Sequence, residues 1–553
     1  MKKFAIIVLL LLAHHVAYGQ PYIHDTIHSP VKDLLNLAVP AELTNRDLAE
    51  LGFVDVTAAP FGADPTGSID ATDAIQRAVD FARDHQMVCF FPSGTYRISD
   101  TISCIQGFYR RQHGKLTGAV QFPCTLLGDN RPGKARPTIL LAPNSAGYHD
   151  PEHPKYVVHF WSRNLDKPDQ PQPNICFNQM FIGLNITIGQ GNPGAVAIRL
   201  RGAQGSGIQD CTINAALGLT GVEGGCGSGG SHAGITIIGG RIGMDLRQTQ
   251  PAPTITGITL IGQRKHAIIY GGRQALCAVG INIQSTGPGP AIMIAPEWNV
   301  HFQGPLTLLD SEVTFKDPHP DNTLIAANRS FYFNNVYAKN AAIIAETPRN
   351  SKTAGNAEGW TQVREYAQSI KPAPYKGLQY ETSIYLDGVK ASRTLLKPEP
   401  GKAPPEDIQS RHLWPDDFPS WQSPNAANVK NPPYNAKGDG LTDDTSALQK
   451  AVDENEIIFL PKGVYRLTKT LQLRSNTKLI GTGKRFSILS ALPDEPYFAN
   501  QTRPLVQTPD DKSAATAMAF CGVYVPYELP RAYTLHWSAG RNSIVRDVDF
   551  LLM

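Results

Sequence analysis

The chain has 553 residues, with Lys+Arg 51 against Asp+Glu 48, a net charge of +3, 18% charged and 41% hydrophobic residues. That balance supplies a sizeable core, excludes a disordered chain and gives no electrostatic reason for a nucleic-acid partner. Gly 49 and Pro 43 exceed the roughly 7% and 5% of average usage, yet they are dispersed and show no G-X-Y period, which excludes collagen and suits many short strands each closed by a turn.

At the N-terminus, Lys2 and Lys3 precede an apolar run from Phe4 to Ala13, and Ala17-Tyr18-Gly19 ends it with small residues. This is the pattern of a secretory signal, too short for a convincing membrane span. Residues 1–19 are therefore expected to be removed, leaving an exported chain, secreted or periplasmic, with no membrane attachment after cleavage. Residues 20–53 read as an N-terminal extension.

The next feature occurs twice. Phe61 to Ile98 and Asn435 to Leu467 share Gly67/Gly440, Asp70/Asp443, Thr72/Thr445, Gln76/Gln449, Val79/Val452, Pro92/Pro461, Gly94/Gly463 and Tyr96/Tyr465. Each copy reads as a Gly/Asp turn, a short amphipathic helix, a buried strand, a Pro-x-Gly turn and a second strand. Ala74, Ile75, Ala78, Val79 and Ala82 form the apolar helical face, and in the second copy Ser446 and Gln449 fit a capping box. The first copy then carries an insertion bounded by Cys104 and Cys124. These two are either a disulfide or a pair of unpaired core thiols.

Short β-branched triplets follow. Asn185-Ile186-Thr187, Thr212-Ile213-Asn214, Thr236-Ile237-Ile238, Thr259-Leu260-Ile261 and Asn282-Ile283-Gln284 recur every 23 to 27 residues and are punctuated by Gly. A period of that length without helical periodicity predicts coils of a parallel β-helix. Leucine-rich-repeat signatures and the regular hairpin turns of a sandwich are both absent. The reading is an all-β chain: a first right-handed parallel β-helix over 54–347, a Pro-, Lys- and Glu-rich crossover over 348–429, and a second β-helix over 430–553 holding only a cap and first coils. A general acid supplied by later coils of that second unit would then be missing.

The opening unit, PFGADPTGSIDATDAIQ followed by FFPSGTYRI, resembles the N-terminal cap of pectate-lyase-superfamily (pectin lyase-like) β-helix proteins. Its tandem use, and the glycine-rich coil from Gly221 through Gly243, resemble glycoside hydrolase family 55, the exo-β-1,3-glucanases. The resemblance implies a β-helix and a carbohydrate-active function, with a general acid in the second helix and water-positioning polar residues in the first. In that neighbourhood this chain reads Tyr270-Gly-Gly-Arg-Gln, where the family has a tryptophan-rich stretch.

Glycoside hydrolysis needs two carboxyl groups, or one acid and a positioned water, at a sugar ring. Carboxylates over 195–275 number only three: Asp210, Glu223 in the turn GVEGGCGSGG, and Asp245. Glu223 and Asp245 are the candidate catalytic carboxyls, joined as catalytic candidates by Gln248 and Gln274, whose turns lie where the resemblance implies water-positioning residues. Seven cations over the same span, among them Arg199, Arg201, Arg247 and Arg273, could bind an anionic polysaccharide or only solvate a face. Arg247, Arg273, Tyr270 and Trp298 are the candidate substrate contacts. Neither C-x-x-C nor H-E-x-x-H occurs, so no metal and no cofactor are expected. Three functions fit: a glycoside hydrolase on a polysaccharide, a lyase on a uronate-containing glycan, and a non-catalytic glycan-binding protein.

Overall fold

The computed structural model describes residues 27–28, 35–110, 116–118, 121–131, 133–164, 170–248, 253–295, 304–347, 351–368, 384–386, 389–391 and 399–553. The signal segment 1–19 and Trp298 lie outside the described residues.

The architecture is a parallel β-helix. Each coil contributes a strand to three sheets, as in Met180–Ile182, Asn185–Ile188 and Ala195–Leu200. In the next coil the first two strands run together as Gly207–Ala215, and Thr220–Glu223 follows on the third sheet. Coils stack in parallel register, so like residues form columns: Ile186 pairs with Ile213, Ile213 with Ile237, Ile237 with Leu260, and Leu260 with Ile283. All five are fully buried, each contributing about 1.5–3 kcal/mol of apolar burial. The triplets read from the sequence are thus rungs of the second sheet.

The bend between the first and second sheets explains the period. It carries one left-handed residue per coil: Gly183, Asp210, Gly234, Gly257, Gly280, Asp310 and Asn335, all with φ between 44° and 69°. Gly, Asn and Asp tolerate that conformation best, and part of the dispersed glycine excess is spent there.

Helix α1 (Arg46–Leu51) and helix α2 (Thr72–Asp84) close the N-terminal end. Ile75, Ala78, Val79 and Ala82 of α2 are buried on the first coils, with Ala74 packed beside them. At the other end Ser351–Ala354 and Trp360–Gln368 pair antiparallel with Phe331–Thr347, covering the last parallel edge.

Residues 427–552 form three further parallel sheets of five, five and three strands, entered by helix α3 (Thr445–Glu454). The expected capping box is absent. The N-cap is Asp444, whose carboxylate accepts from the Lys437 and Gly438 amides. Gln449 bonds Asp453 and the Gln472 backbone instead.

The two units pack through Leu35, Phe53, Val88 and Phe90 of the first and Phe459, Phe486, Ile488 and Tyr524 of the second. The crossover runs back along the first unit: Gln409 bonds the Gly280 carbonyl, His412 bonds Asp310 and Trp414 bonds Asp210. Trp421 then stacks on Phe53 with ring centroids 4.5 Å apart.

Candidate functional site

Alternation along the third sheet decides which side chains face out. Ile198, Val222, Met244 and Ile268 point into the core, so their odd-numbered neighbours point outward. Register then aligns Ser103, His159, Arg199, Glu223, Asp245 and Ile269 in one column across successive coils, with a step of about 4.8 Å.

The middle of this column is an ionic ladder. Arg199 Nη1 donates to Glu223 Oε1 and to the Tyr156 hydroxyl at 2.8 Å, and its guanidinium lies 4.9 Å from the Tyr156 ring centroid. Arg247 grips Asp245 with two nitrogens, Nε to Oδ1 at 2.9 Å and Nη2 to Oδ2 at 2.5 Å. Burial pushes the Glu223 carboxyl above its ordinary range and the neighbouring Asp245 adds to this, while Arg199 leads the cations that pull it down. Burial also lowers Arg201, helped by Arg199; Arg201 Nε donates to the Gln248 carbonyl at 3.1 Å.

On the N-terminal side the column becomes aromatic. Tyr156 and His159 have centroids 4.7 Å apart, and His159 stacks on Trp161 at 5.6 Å and 12°. The Trp161 indole donates to Ser103 Oγ at 2.8 Å. Burial, with Arg199 nearby, pushes the His159 imidazole down to about 3, so it is neutral at ordinary pH.

The structure therefore brings Glu223, Asp245 and Arg247 together on one face, with Gln248 exposed beside Arg247 and its backbone carbonyl accepting from Arg201. Arg273 and Gln274 lie in the turn one coil further on, where Gly271 packs against Arg247. Tyr270 requires a correction. It is in register with Leu246, inside the coil, and is fully buried, with its hydroxyl donating to the Gln274 carbonyl. Its ring therefore offers no surface to a sugar. The glycine-rich turn after Glu223 also serves packing more than ligand approach. A Cβ on Gly224 or Gly227 would meet the Leu200 carbonyl at 2.1 Å or the Ala203 carbonyl at 1.7 Å, both in the preceding coil. Tyr156, His159 and the pairing role of Arg199 were not singled out from sequence. The available signal was the match of Tyr156-x-x-His159 to Tyr533-x-x-His536.

A separate cleft of about 400 Å³ lies between the units, lined among others by Met180, Trp414, Trp421 and Lys484. Arg546 crosses it to bond Gln209 and Asp210, and stacks 3.5 Å from the Trp414 ring centroid. Asp210 is the one of the three carboxylates over 195–275 that lines the cleft; Glu223 and Asp245 do not. Among the described residues no three His, Cys, Asp or Glu side chains converge as a metal site, and no helix is long and apolar enough to cross a membrane.

The chain is 22% identical over 458 residues to the glucan 1,3-beta-glucosidase of Cochliobolus carbonum, covering 76% of this chain and 51% of that protein. It is 41% identical over 56 residues to the pre-neck appendage protein of Bacillus phage phi29, covering 10% of this chain and 7% of that protein. The chain thus spans about half the length of the glucosidase and a small fraction of the phage protein. Among solved structures it is similar to the catalytic unit of the GH87 alpha-1,3-glucanase of Streptomyces thermodiastaticus, at 13% identity and a TM-score of 0.30, over 90% of this chain and 68% of that one. The family model described as rhamnogalacturonase A/epimerase, pectate lyase-like matches residues 53–289 and 426–503. Those residues take in the N-terminal cap, the coils bearing the ionic ladder and the second cap, and with more than half its length matched the chain belongs to that family.

Proposed function

We propose that the protein is an exported glycoside hydrolase that cleaves a polysaccharide on the third-sheet face of the first β-helix. The observation that carries this reading is the pair Glu223 and Asp245: two carboxyls on adjacent coils, one pushed toward its protonated form by burial, the other gripped by Arg247. Neighbouring carboxyls in unlike surroundings suit two different roles. Glu223 holds the proton that passes to the glycosidic oxygen. Asp245 meets the developing positive charge at the anomeric carbon. Tyr156 and His159 flank the pair, and Gln248 stands at its rim. Similarity to the Cochliobolus glucosidase supports glucan as the first substrate to try.

A second reading, a lyase on uronate-containing glycan, is favoured by Arg201 and Arg247, cations beside the pair that could neutralise a substrate carboxylate. One assay separates the readings. The protein is incubated with laminarin and with pectin-type polymers, following reducing ends and the ultraviolet absorbance of unsaturated product. Reducing ends alone, reduced about 10²–10⁴-fold in Glu223→Gln, support hydrolysis. Added absorbance supports elimination. Binding with neither signal overturns both enzyme readings in favour of a glycan-binding protein.

A further inference from the structure

We propose that Cys104 and Cys124 are a disulfide-forming pair that staples the insertion of the first unit to its core. Both residues are buried, at 0% and 1% exposure. They stand at the two ends of a segment that leaves the third sheet after Ile105 and enters the first sheet at Thr125. The ends of that segment are zipped together: the Gly107 amide donates to the Phe122 carbonyl at 3.3 Å. The Cys124 thiol reaches the Ile105 carbonyl, next to Cys104, at 3.5 Å. Both thiols are free in this structure, and Cys124 stands close enough to Cys104 to raise its thiol along with burial. Gln179 fixes the geometry from the adjacent coil, accepting from the Cys124 amide at 3.0 Å and donating to Gln106 at 2.7 Å.

Cys89 and Cys176 also lie near Cys124, but it is the carbonyl next to Cys104 that the Cys124 thiol reaches. Closing the bridge breaks two S–H bonds and forms one S–S bond. The two electrons and two protons pass by thiol–disulfide exchange to a disulfide oxidant, which leaves as two thiols. Attack requires a thiolate, and burial pushes the Cys104 thiol well up. The bond therefore forms while the insertion is still open and not in the finished fold, which ties it to folding in an oxidising compartment.

The test is chemical and independent of any sugar. The full chain is unfolded in reductant, refolded with and without a glutathione redox couple, alkylated under denaturing conditions and analysed by intact mass and non-reducing peptide mapping. Of the eight cysteines, six are expected to alkylate after oxidative refolding, with a Cys104–Cys124 linked peptide, and all eight after refolding in reductant. The oxidised form should melt a few degrees higher, and the double variant Cys104→Ala/Cys124→Ala should lose both the linked peptide and that difference. Folded, reduced protein exposed to oxidised glutathione should still alkylate at eight positions. Eight alkylated cysteines after oxidative refolding, or a bridge to Cys89 or Cys176, would overturn the proposal.

Discussion

Arg199 is the residue on which the ladder turns, because its guanidinium faces Tyr156 on one side and Glu223 on the other. It is the first of the cations opposing the burial that raises Glu223. In Arg199→Met the carboxyl keeps its burial and its neighbour Asp245 but loses that cation, so its pKa rises further. If Glu223 is the proton donor, the alkaline limb of the pH–rate profile moves to higher pH, and Arg199→Lys restores it in part. A solely structural Arg199 would lower stability and leave the limb in place. A second titrating residue acts on stability alone. His232 is fully buried, accepts at Nδ1 from the Ile208 amide, and is pushed by burial down to about 4. Since the folded value lies below the unfolded 6.5, the unfolded chain takes up the proton first. The native state thus keeps its full stability above pH 6.5 and loses ground as pH falls toward 4. The loss is ~2 kcal/mol by pH 5. Urea midpoints should fall between pH 7 and 5 in the native chain, where the buried His159 adds to the loss, and should fall by ~2 kcal/mol less in His232→Asn.

Spacing in sequence exposed the elements better than it exposed their side-chain roles. The 23–27-residue recurrence of apolar triplets revealed the coils because each rung repeats the same burial. The two carboxyls were found by their scarcity. What one coil does to the next was hidden: the Arg199–Glu223 pair joins strands 24 residues apart, and Gly224 is small because the Leu200 carbonyl lies against it. Tyr270 was misread by one step of strand parity, since Ile269, not Tyr270, continues the outward column. The left-handed glycines before and after the strand Thr259–Ile261 can be tested, because conformation and contact separate there. A methyl added at Gly262 (φ +67°) would find its nearest neighbour 3.9 Å away, whereas one added at Gly257 (φ +61°) would lie 2.5 Å from Leu413 of the crossover. Gly262→Ala should cost ~1–2 kcal/mol from the left-handed backbone alone. Gly257→Ala should cost more and should also loosen the crossover, seen as faster proteolysis around residues 407–415. Equal proteolysis in the two variants would show that Leu413 does not hold the crossover in place.

The whole molecule depends on how its two units hold each other, and Lys462 sits at that junction. Its amide donates to the Leu51 carbonyl at 3.0 Å and its Nζ to the His85 carbonyl at 2.8 Å, while Thr482 takes the same Leu51 carbonyl at 2.8 Å. The side chain is 6% exposed and faces Gly52, where any Cβ would come within 2.5 Å of it. Burial, with Lys430 nearby, pushes its ammonium from 10.5 down to about 7. The folded value lies below the unfolded one, so between pH 7 and 10.5 the unfolded chain binds one proton more than the folded chain. Stability therefore rises with pH across that window by ~1.4 kcal/mol per unit, and below pH 7 the junction carries the full cost of a buried charge. Lys462→Met keeps the length of the side chain and gives up one hydrogen bond of about 1 kcal/mol, less than the charge costs near neutrality. The variant should be more stable than the native chain at pH 6 and should lose that advantage by pH 10, so that the native chain gains on the variant throughout pH 7 to 10. The measurement is the urea midpoint of the full chain across that range. A native profile parallel to the variant's would mean that Lys462 keeps its charge in the junction, solvated by water reaching between the two units.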